Sequence, residues 1–399
     1  MKYILVLCDG MADFKIDALG GKTPLEAAKK PNIDFMAKTA MQGFVKTVPD
    51  GMKPGSDVAN LSALGYDAKA CYTGRSPLEA LSLGIDLQPT DVALRCNLVT
   101  LSDDEPYEAK TMIDYSSGEI TTAESELLMK SVAQSLNDNT FEFYPGVSYR
   151  HCLVCHNGRT DSDLTPPHDI TGKKITEYLP KGYNADLYLS LMKKSADILK
   201  NHPVNKERRK KGKHTADSIW LWGQGTKPRL QSFYERYGIK GAMISAVDLL
   251  KGIAVGSGMQ SIDVEGATGT IDTNFDGKAK AALDALKNND FCFIHLEAPD
   301  ECGHQKDAKG KTRSIELIDE KIIGAIIKGM KGSEFKMLVM PDHFTPIATG
   351  THDATPVPFL MYSSSKPLGK GETFNEFTPT GKILTPFELI NLFFDKEEK

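Results

Sequence analysis

Three short apolar runs, each followed at once by acidic or histidine side chains, stand out along the chain. They cover residues 3–8 (YILVLC), 291–296 (FCFIHL) and 336–340 (KMLVM). A continuous apolar run of this length, rather than an alternating one, is typical of a strand that is buried on both faces. The pattern therefore predicts three strands in the interior of a largely parallel sheet.

Helices are indicated between and around these runs. Thr23 precedes Pro24, and Thr385 precedes Pro386 with Glu388 completing a capping box, so both places predict helix starts. Before the third strand, apolar residues recur at helical spacing at Ile315, Ile318, Ile322, Ile326 and Met330. Strands that alternate with helices predict an α/β fold built on a mainly parallel sheet.

Composition narrows the class of protein. The 399 residues are 40% apolar and carry a net charge of -5, enough for a large core and two or three domains. Nucleic-acid binding has no support beyond the basic run 206–213, which we interpret as a solvated loop. We find neither a signal peptide nor an apolar segment of membrane-spanning length, and the seven cysteines favour reduced thiols, so we predict a cytoplasmic protein without a membrane partner.

The polar residues that follow the three strands would meet at one edge of the sheet, where open α/β sheets bind their ligands. Together they offer six nitrogen and oxygen ligands, Asp9, Asp300, His304, Asp342, His343 and His352. That set is too large for one tetrahedral zinc ion but sufficient for two divalent cations. A pair of cations can bind the attacking and departing oxygens of a phosphoryl transfer, so this chemistry is indicated.

The same convergence predicts how the domains are arranged. If Asp9 and the residues beyond 296 share one site, the first and last parts of the chain form one core domain. We predict a discontinuous core of residues 1–86 and 181–399, with a smaller domain inserted at 87–180, where turn-forming residues become frequent.

Ser56 is the candidate nucleophile. It ends a loop rich in glycine and proline, GMKPG at residues 51–55, and begins a short helical pattern. A phosphoserine there would face the free N–H groups of a helix start, and a metal touching the hydroxyl would lower its pKa. The alternative is that Ser56 only caps the helix, which is the commoner role for serine and the one that this segment alone favours.

The motifs that carry these residues resemble a known family. They are DG at residues 9–10, PGSD at 54–57, PDECGH at 299–304, PDH at 341–343 and THDATPVPF at 351–359. The chain is similar to the cofactor-independent phosphoglycerate mutases of the shorter archaeal type, within the alkaline phosphatase superfamily. The resemblance implies an alkaline-phosphatase-like three-layer core with a largely parallel central sheet and a smaller inserted α/β domain.

The resemblance also implies a site and a reaction. One cation would bind Asp300, His304 and His352, and the other would bind Asp9, Ser56, Asp342 and His343. Ser56 would take the phosphoryl group from 3-phosphoglycerate and return it to the other hydroxyl, without 2,3-bisphosphoglycerate. The inserted domain would hold the glycerate and exclude water. We expect Mn²⁺, although Mg²⁺, Zn²⁺ and Co²⁺ also suit these ligands.

Cationic and amide side chains suit a substrate that carries both carboxylate and phosphate. The candidates for contacts with the substrate are Arg95, Asn97, Arg150, His151 and Lys227. A surface ion pair or a structural histidine is an equally good interpretation of each. His295, inside a predicted strand, is expected to pack or to support a ligand.

Two other enzymatic functions compete with the mutase. A phosphatase would use nearly the same ligands and nucleophile if water reached the phosphoserine. A kinase for a small alcohol such as homoserine is less favoured, because the chain has no glycine-rich loop of the Walker type.

Overall fold

The computed structural model describes residues 1–396, and the chain forms two compact units. The first unit combines Met1–Tyr72 with the chain from Arg229 onward, and the second is Thr73–Pro228. The strands are β1 (Lys2–Cys8), β2 (Met41–Val45), β3 (Val92–Leu101), β4 (Met112–Asp114), β5 (Phe141–Val147), β6 (Arg150–Cys155), β7 (Ser162–Asp163), β8 (Lys181–Gly182), β9 (Ser218–Thr226), β10 (Gly241–Ile244), β11 (Gln260–Ile262), β12 (Phe291–Leu296), β13 (Phe335–Met340), β14 (Val357–Ser363) and β15 (Ile383–Leu384).

The α-helices are α1 (Pro24–Ala27), α2 (Pro31–Ala37), α3 (Ser56–Ala63), α4 (Ala68–Cys71), α5 (Arg75–Ser82), α6 (Thr122–Leu136), α7 (Ala185–Lys200), α8 (Pro203–Lys210), α9 (Phe233–Tyr237), α10 (Asp248–Gly256), α11 (Phe275–Ala285), α12 (Ala298–His304), α13 (Ala308–Leu317), α14 (Gly324–Gly329) and α15 (Pro386–Phe393). The two threonine-proline sites predicted as helix starts begin α1 and α15, and both have complete capping boxes.

The first unit is built on a sheet of eight strands in the order β11-β10-β12-β1-β13-β14-β2-β15, counted over residues 1–396. β1 lies at its centre, parallel to β12 on one side and to β13 on the other. β14 is antiparallel to both of its neighbours. The predicted α/β fold with a largely parallel sheet is confirmed.

Helices cover both faces of this sheet, which explains why the central strands are apolar throughout. On one face Ile4, Val6 and Cys8 of β1 pack in a core with residues of α2, α11, α13 and α14. On the other face the ring of Phe291 stacks on Phe233 of α9, with ring centroids 5.3 Å apart, and also meets Phe393 of α15. The result is the expected three-layer core.

The helical pattern before β13 is confirmed, with one difference. Ile315, Ile318, Ile322 and Ile326 are all buried, but α13 and α14 are joined by a π-helical segment, Ile318–Ile323. This segment also buries Asp319, whose carboxylate accepts hydrogen bonds from the backbone N–H groups of Asn32 and Ile33 at the start of α2.

The second unit has its own antiparallel sheet, in which β3 pairs with β6 along one edge and β9 along the other. Helices α6 and α7 contribute Leu128, Met129 and Met192 to the apolar core beneath it. The unit is wider than the expected insertion of residues 87–180. Because β9 completes the sheet beside β3, the chain returns to the first unit only at residue 229.

The cysteines agree with the expectation of reduced thiols. All seven are free and buried. Cys152 and Cys155 of β6 lie in separate apolar clusters, as the alternation of a strand predicts. Among residues 1–396, none of the helices combines the length and apolarity needed to cross a membrane.

Candidate metal centre

Three neighbouring strands of the first unit end at the same edge of its sheet. In the parallel register, Cys8 of β1 lies beside Leu296 of β12, and Leu7 lies beside Met340 of β13. The loops after β1 and β13 and the helix α12 after β12 carry the acidic and histidine residues singled out in the sequence. The described residues form two groups whose ligand atoms lie within 4.8 Å of one another, Asp9 with Asp342 and His343, and Asp300 with His304 and His352.

In the second of these groups, Asp300 and His304 lie one turn apart on α12. His304 Nε2 is 3.2 Å from Asp300 Oδ2, and His352 Nε2 is 3.6 Å from Asp300 Oδ1. The two Nε2 atoms are only 3.0 Å from each other. Two imidazole nitrogens at this distance need a proton or a cation between them, because lone pairs repel.

The partner of the other ring nitrogen, Nδ1, shows whether a proton or a cation belongs between the two Nε2 atoms. His304 Nδ1 is 2.9 Å from the carbonyl oxygen of Gly350, and His352 Nδ1 is 3.4 Å from that of Pro54. A carbonyl oxygen can only accept, so we assign the ring proton to Nδ1 in both histidines. Both Nε2 lone pairs then point toward Asp300, which is the arrangement of ligands around a shared cation.

Asp9, Asp342 and His343 form the more deeply buried group. His343 Nε2 is 3.5 Å from Asp9 Oδ1 and 3.5 Å from Asp342 Oδ2. Asp9 Oδ1 is buried and has no hydrogen-bond partner among the described residues. A buried carboxylate oxygen without a donor is costly unless a cation compensates it, so this atom fits a metal ligand.

Ser56 lies beside this group, at the first residue of α3. Its Oγ is 3.3 Å from His343 Nε2. The N-cap of α3 is Gly55, and Ser56 is the first residue inside the helix. The alternative that Ser56 serves as the cap is therefore wrong, and its hydroxyl faces the candidate metal ligands.

Two buried side chains, Asn60 and His295, hold this group, and only Asn60 was not selected from the sequence. The Nδ2 group of Asn60, one turn after Ser56, donates to Asp342 Oδ2 at 2.9 Å and to the Ser56 carbonyl oxygen at 2.7 Å. His295 Nε2 contacts Asp9 Oδ2 at 2.9 Å, which agrees with the expected supporting role of this histidine. The one sequence feature that pointed to Asn60 was its position four residues after Ser56, on the same face of the helix.

The electrostatics of the site reflect its crowded negative charge. Burial, followed by the neighbouring Asp342 and Asp300, holds the pKa of Asp9 well above its ordinary value. Burial lowers the pKa of His343. When no cation is bound, His304 Nε2 can take a second proton and donate it to Asp300, and this hydrogen bond raises the pKa of His304 to about 9. Burial opposes ionisation of Asp300, but the hydrogen bonds from His304 and His352 still hold the pKa of Asp300 low. A bound cation would offset the repulsion between these carboxylates.

The predicted substrate contacts all belong to the second unit. Asn97 and Arg150 are cross-strand neighbours, and Arg95 lies two residues before Asn97, so all three occupy one face of the sheet. Arg95 stacks on Trp222, with its guanidinium carbon 4.4 Å from the ring centroid, and pairs with Glu79 at 3.0 Å. This face concentrates positive charge held in fixed geometry.

His151 and Lys227 are placed differently. His151 lies opposite Cys96 on the other face, buried, and its Nδ1 accepts a hydrogen bond from Gly146 N at 2.9 Å. Lys227 follows β9 and pairs with Asp86 at 3.4 Å. Strand alternation thus places the His151 side chain on the face opposite to the one that Arg95 and Asn97 share.

A further cation near Arg95 was not selected from the sequence. Arg75 Nε lies 2.8 Å from Glu79 Oε1, so the Glu79 carboxylate bridges Arg75 and Arg95. The available signal was the position of Arg75 at the start of a helix with Glu79 one turn later, a spacing that also occurs in ordinary helical ion pairs.

Comparison with known proteins identifies the family. A model of the 2,3-bisphosphoglycerate-independent phosphoglycerate mutases matches residues 37–205. A curated relative from Methanosarcina barkeri with that name is 49% identical over 380 residues, covering 94% of each chain. The chain belongs to this family. A relative from Geobacter sulfurreducens, named a probable mutase of the same kind, is 50% identical over 91% of each chain.

Solved structures agree with this membership of the mutase family. A protein from Pyrococcus horikoshii has a TM-score of 0.81 and 29% identity, covering 100% of this chain and 98% of the other. A cofactor-independent phosphoglycerate mutase from Thermoplasma acidophilum has a TM-score of 0.67 and 25% identity, covering 99% of both chains. The family resemblance predicted from the motifs is confirmed.

Proposed function

We propose that this mutase interconverts 3-phosphoglycerate and 2-phosphoglycerate through a phosphoserine at Ser56, beside two divalent cations. The observation that carries the proposal is the position of the Ser56 hydroxyl, 3.3 Å from His343 Nε2 and at the first residue of α3. The free N–H groups of that helix start favour the negative charge of a phosphoserine. Membership of the cofactor-independent family supports a reaction without 2,3-bisphosphoglycerate.

The ligands proposed for the cations follow the two groups of side chains. Asp300, His304 and His352 would hold one cation, and Asp9, Asp342 and His343 with the Ser56 hydroxyl would hold the other. The orphaned Asp9 Oδ1 and the converging Nε2 atoms of His304 and His352 support this assignment. Bound cations would activate the serine hydroxyl and neutralise phosphoryl oxygens, and we propose Mn²⁺ as the cation.

The side chains have distinct parts in the proposed reaction. Ser56 Oγ forms a bond to phosphorus as the bond to the 3-oxygen of the substrate breaks, and the proton lost by Ser56 goes to that departing oxygen. The 2-hydroxyl then attacks the phosphoserine, and its proton returns to Ser56. Asn60 holds the backbone of Ser56 and the carboxylate of Asp342 in one orientation throughout.

We further propose that the second unit supplies the contacts to glycerate and excludes water. Arg95, Asn97 and Arg150 are the preferred contacts, because they share one face and two of them are cationic. His151 and Lys227 stay predictions from the sequence. The free, buried cysteines favour a reducing compartment, so we propose the cytoplasm as the location.

The test uses ³¹P NMR on purified protein with 3-phosphoglycerate and Mn²⁺ and without 2,3-bisphosphoglycerate. We expect the 2-isomer to appear at the expense of the 3-isomer. Free phosphate without any isomer would replace the proposal with a phosphatase.

Ser56→Ala should abolish isomer formation while the circular dichroism spectrum and melting temperature stay near those of the wild type. Ser62→Ala, a buried serine six residues along the same helix, is the matched control and should keep its activity. Activity that survives in Ser56→Ala would contradict the covalent route.

A further inference from the structure

Thr345 lies between the two groups of candidate ligands. It follows His343 by two residues in the loop after β13, and its side chain is fully buried. Its hydroxyl contacts Asp300 Oδ1, and its Oγ1 is 3.2 Å from His343 Nδ1. One hydroxyl thus touches a ligand from each group.

The place of Thr345 is fixed from two sides by glycines. A Cβ atom at Gly10 would lie 2.6 Å from Thr345 Oγ1 and 2.5 Å from Asp300 Oδ1. A Cβ atom at Gly303 would lie 2.6 Å from the Thr345 carbonyl oxygen and 2.8 Å from its Cγ2. The loop after β1 and the helix α12 therefore pack closely against this threonine, which leaves its hydroxyl little freedom to rotate.

The hydrogen atoms at this junction can be counted. A hydroxyl has one hydrogen to donate, and the ionised carboxylate of Asp300 can only accept, so Thr345 donates to Asp300. The contact between Thr345 and His343 must then use a proton on His343 Nδ1. With Nδ1 protonated, the Nε2 lone pair of His343 faces Ser56 Oγ and Asp9 Oδ1 at 3.3 and 3.5 Å.

We propose that Thr345 is a positioning residue that fixes the tautomer of His343 and couples the two metal sites through the chain His343 Nδ1–H to Thr345 Oγ1–H to Asp300 Oδ1. The inference rests on the proposed two-metal function. Supports of this kind orient the ligands of a metal, and their loss typically costs about 10- to 100-fold in metal affinity or activity. Because both hydrogen bonds share one oxygen, changes at either metal site are transmitted to the other.

The test compares Thr345→Ala with Thr345→Ser in the full chain, since both lose the methyl group and only alanine loses the hydroxyl. Chelator-treated protein is titrated with Mn²⁺ in a calorimeter. We expect Thr345→Ser to bind Mn²⁺ at two sites with affinities similar to those of the wild type. We expect Thr345→Ala to bind Mn²⁺ about 10- to 100-fold more weakly, with a lower kcat and an unchanged KM. Thr312→Val, on the outer part of α13, controls for the loss of a threonine hydroxyl away from the site. Equal affinities in all four proteins would overturn the inference.

A second measurement does not depend on whether the alanine variant folds. Long-range ¹H–¹⁵N NMR of the metal-free wild type labelled at histidine should show His343 with its proton on Nδ1, and a proton on Nε2 would overturn the inference. A wild type that binds no Mn²⁺ but has the Nδ1 tautomer would instead refute the proposed metal function and leave the hydrogen-bond chain standing.

Discussion

Some residues of this fold bury a charged group, which costs free energy unless the charge is paired. Lys311 is fully buried in α13, where its ammonium group donates to Asp13 Oδ2 at 2.8 Å and to the carbonyl oxygens of Ala12 and Thr345. Its three donors are thus matched by three acceptors. Lys311 thus joins α13 to the loop that follows Asp9 and to the loop that carries His343, so it holds the two loops of candidate ligands close together.

Lys311→Met should lower the free energy of unfolding by about 3–5 kcal/mol, because it leaves the Asp13 carboxylate buried without its partner. Urea denaturation measures the change. Lys309→Met, an exposed position on the same helix, should stay within about 0.5 kcal/mol of the wild type. A loss below about 1 kcal/mol in Lys311→Met would contradict the importance of the pair.

Glu376 makes a pH-dependent contribution to the free energy of unfolding. Its carboxylate accepts from Asp13 N at 3.0 Å and from the Thr23 hydroxyl at 2.7 Å, and burial raises its pKa from 4.5 to about 7 although Lys311 nearby opposes this. Because the folded protein holds this proton more tightly than the unfolded chain does, the contribution is fully present below pH 4.5 and is lost as the pH rises toward about 7.

Glu376→Gln mimics the protonated acid, with an amide group that can donate to Thr23. We expect the free energy of unfolding of the variant, relative to that of the wild type, to rise by about 3 kcal/mol as the pH is raised from about 4 to about 8. The exposed Glu372→Gln should show a constant difference. A Glu376→Gln difference that does not change with pH would contradict the raised pKa.

Elements of this fold depend on partners distant in sequence. The N-terminus of α2 begins with Pro31 and has no cap from its own Lys30. Asp319 in the π-helical segment supplies the missing acceptor to Asn32 N and Ile33 N, at 3.2 and 2.7 Å. The periodicity of the apolar residues from Ile315 to Met330 predicted the helical segment that carries Asp319. The π turn within that segment was not predicted, because it leaves the same isoleucines buried.

Asp319→Ala should destabilise the first unit by about 2–3 kcal/mol, because two backbone donors of α2 lose a charged acceptor. Thermal and urea unfolding would measure this loss. The adjacent Glu320 is exposed, so Glu320→Ala serves as the matched control and should change stability little. Equal stabilities for the two variants would show that α2 does not need the distant cap.

The molecule as a whole gathers three buried carboxylates at one edge of its main sheet. Asp9, Asp300 and Asp342 come from two loops and the helix α12, which are far apart in sequence, and their negative charges repel one another. Packing of the core must therefore offset this repulsion when no cation is bound. Cation binding should remove part of the repulsion and so stabilise the fold.

Mn²⁺ at 100 times its dissociation constant should stabilise the wild type by about 2.7 kcal/mol per occupied site, seen as a rise in melting temperature that EDTA reverses. Asp9→Asn should melt higher than the wild type in EDTA, because it removes a buried charge, and should lose most of the Mn²⁺-dependent rise. A rise of the same size in Asp9→Asn would contradict the role of Asp9 as a ligand.

Local sequence determined the elements and the chemistry of this protein. Apolar runs predicted β1, β12 and β13 because strands buried on both faces need them, and the Asp and His residues after each run predicted the candidate ligands that the structure brings together. Ser56 could be placed at a helix start, since loop glycines and a following apolar pattern are local signals. The family motifs lie in these same short segments, which is why the resemblance was visible.

Only the tertiary structure decided the rest, because it depends on contacts between distant segments. The pairing of β3 with β9 set the extent of the second unit, and strand alternation in the pairing of β3 with β6 turned His151 away from Arg95. Thr345, Asn60 and Lys311 are common residue types in unremarked positions. They acquire a role through hydrogen bonds to residues 45 to 299 positions away, which no local pattern encodes.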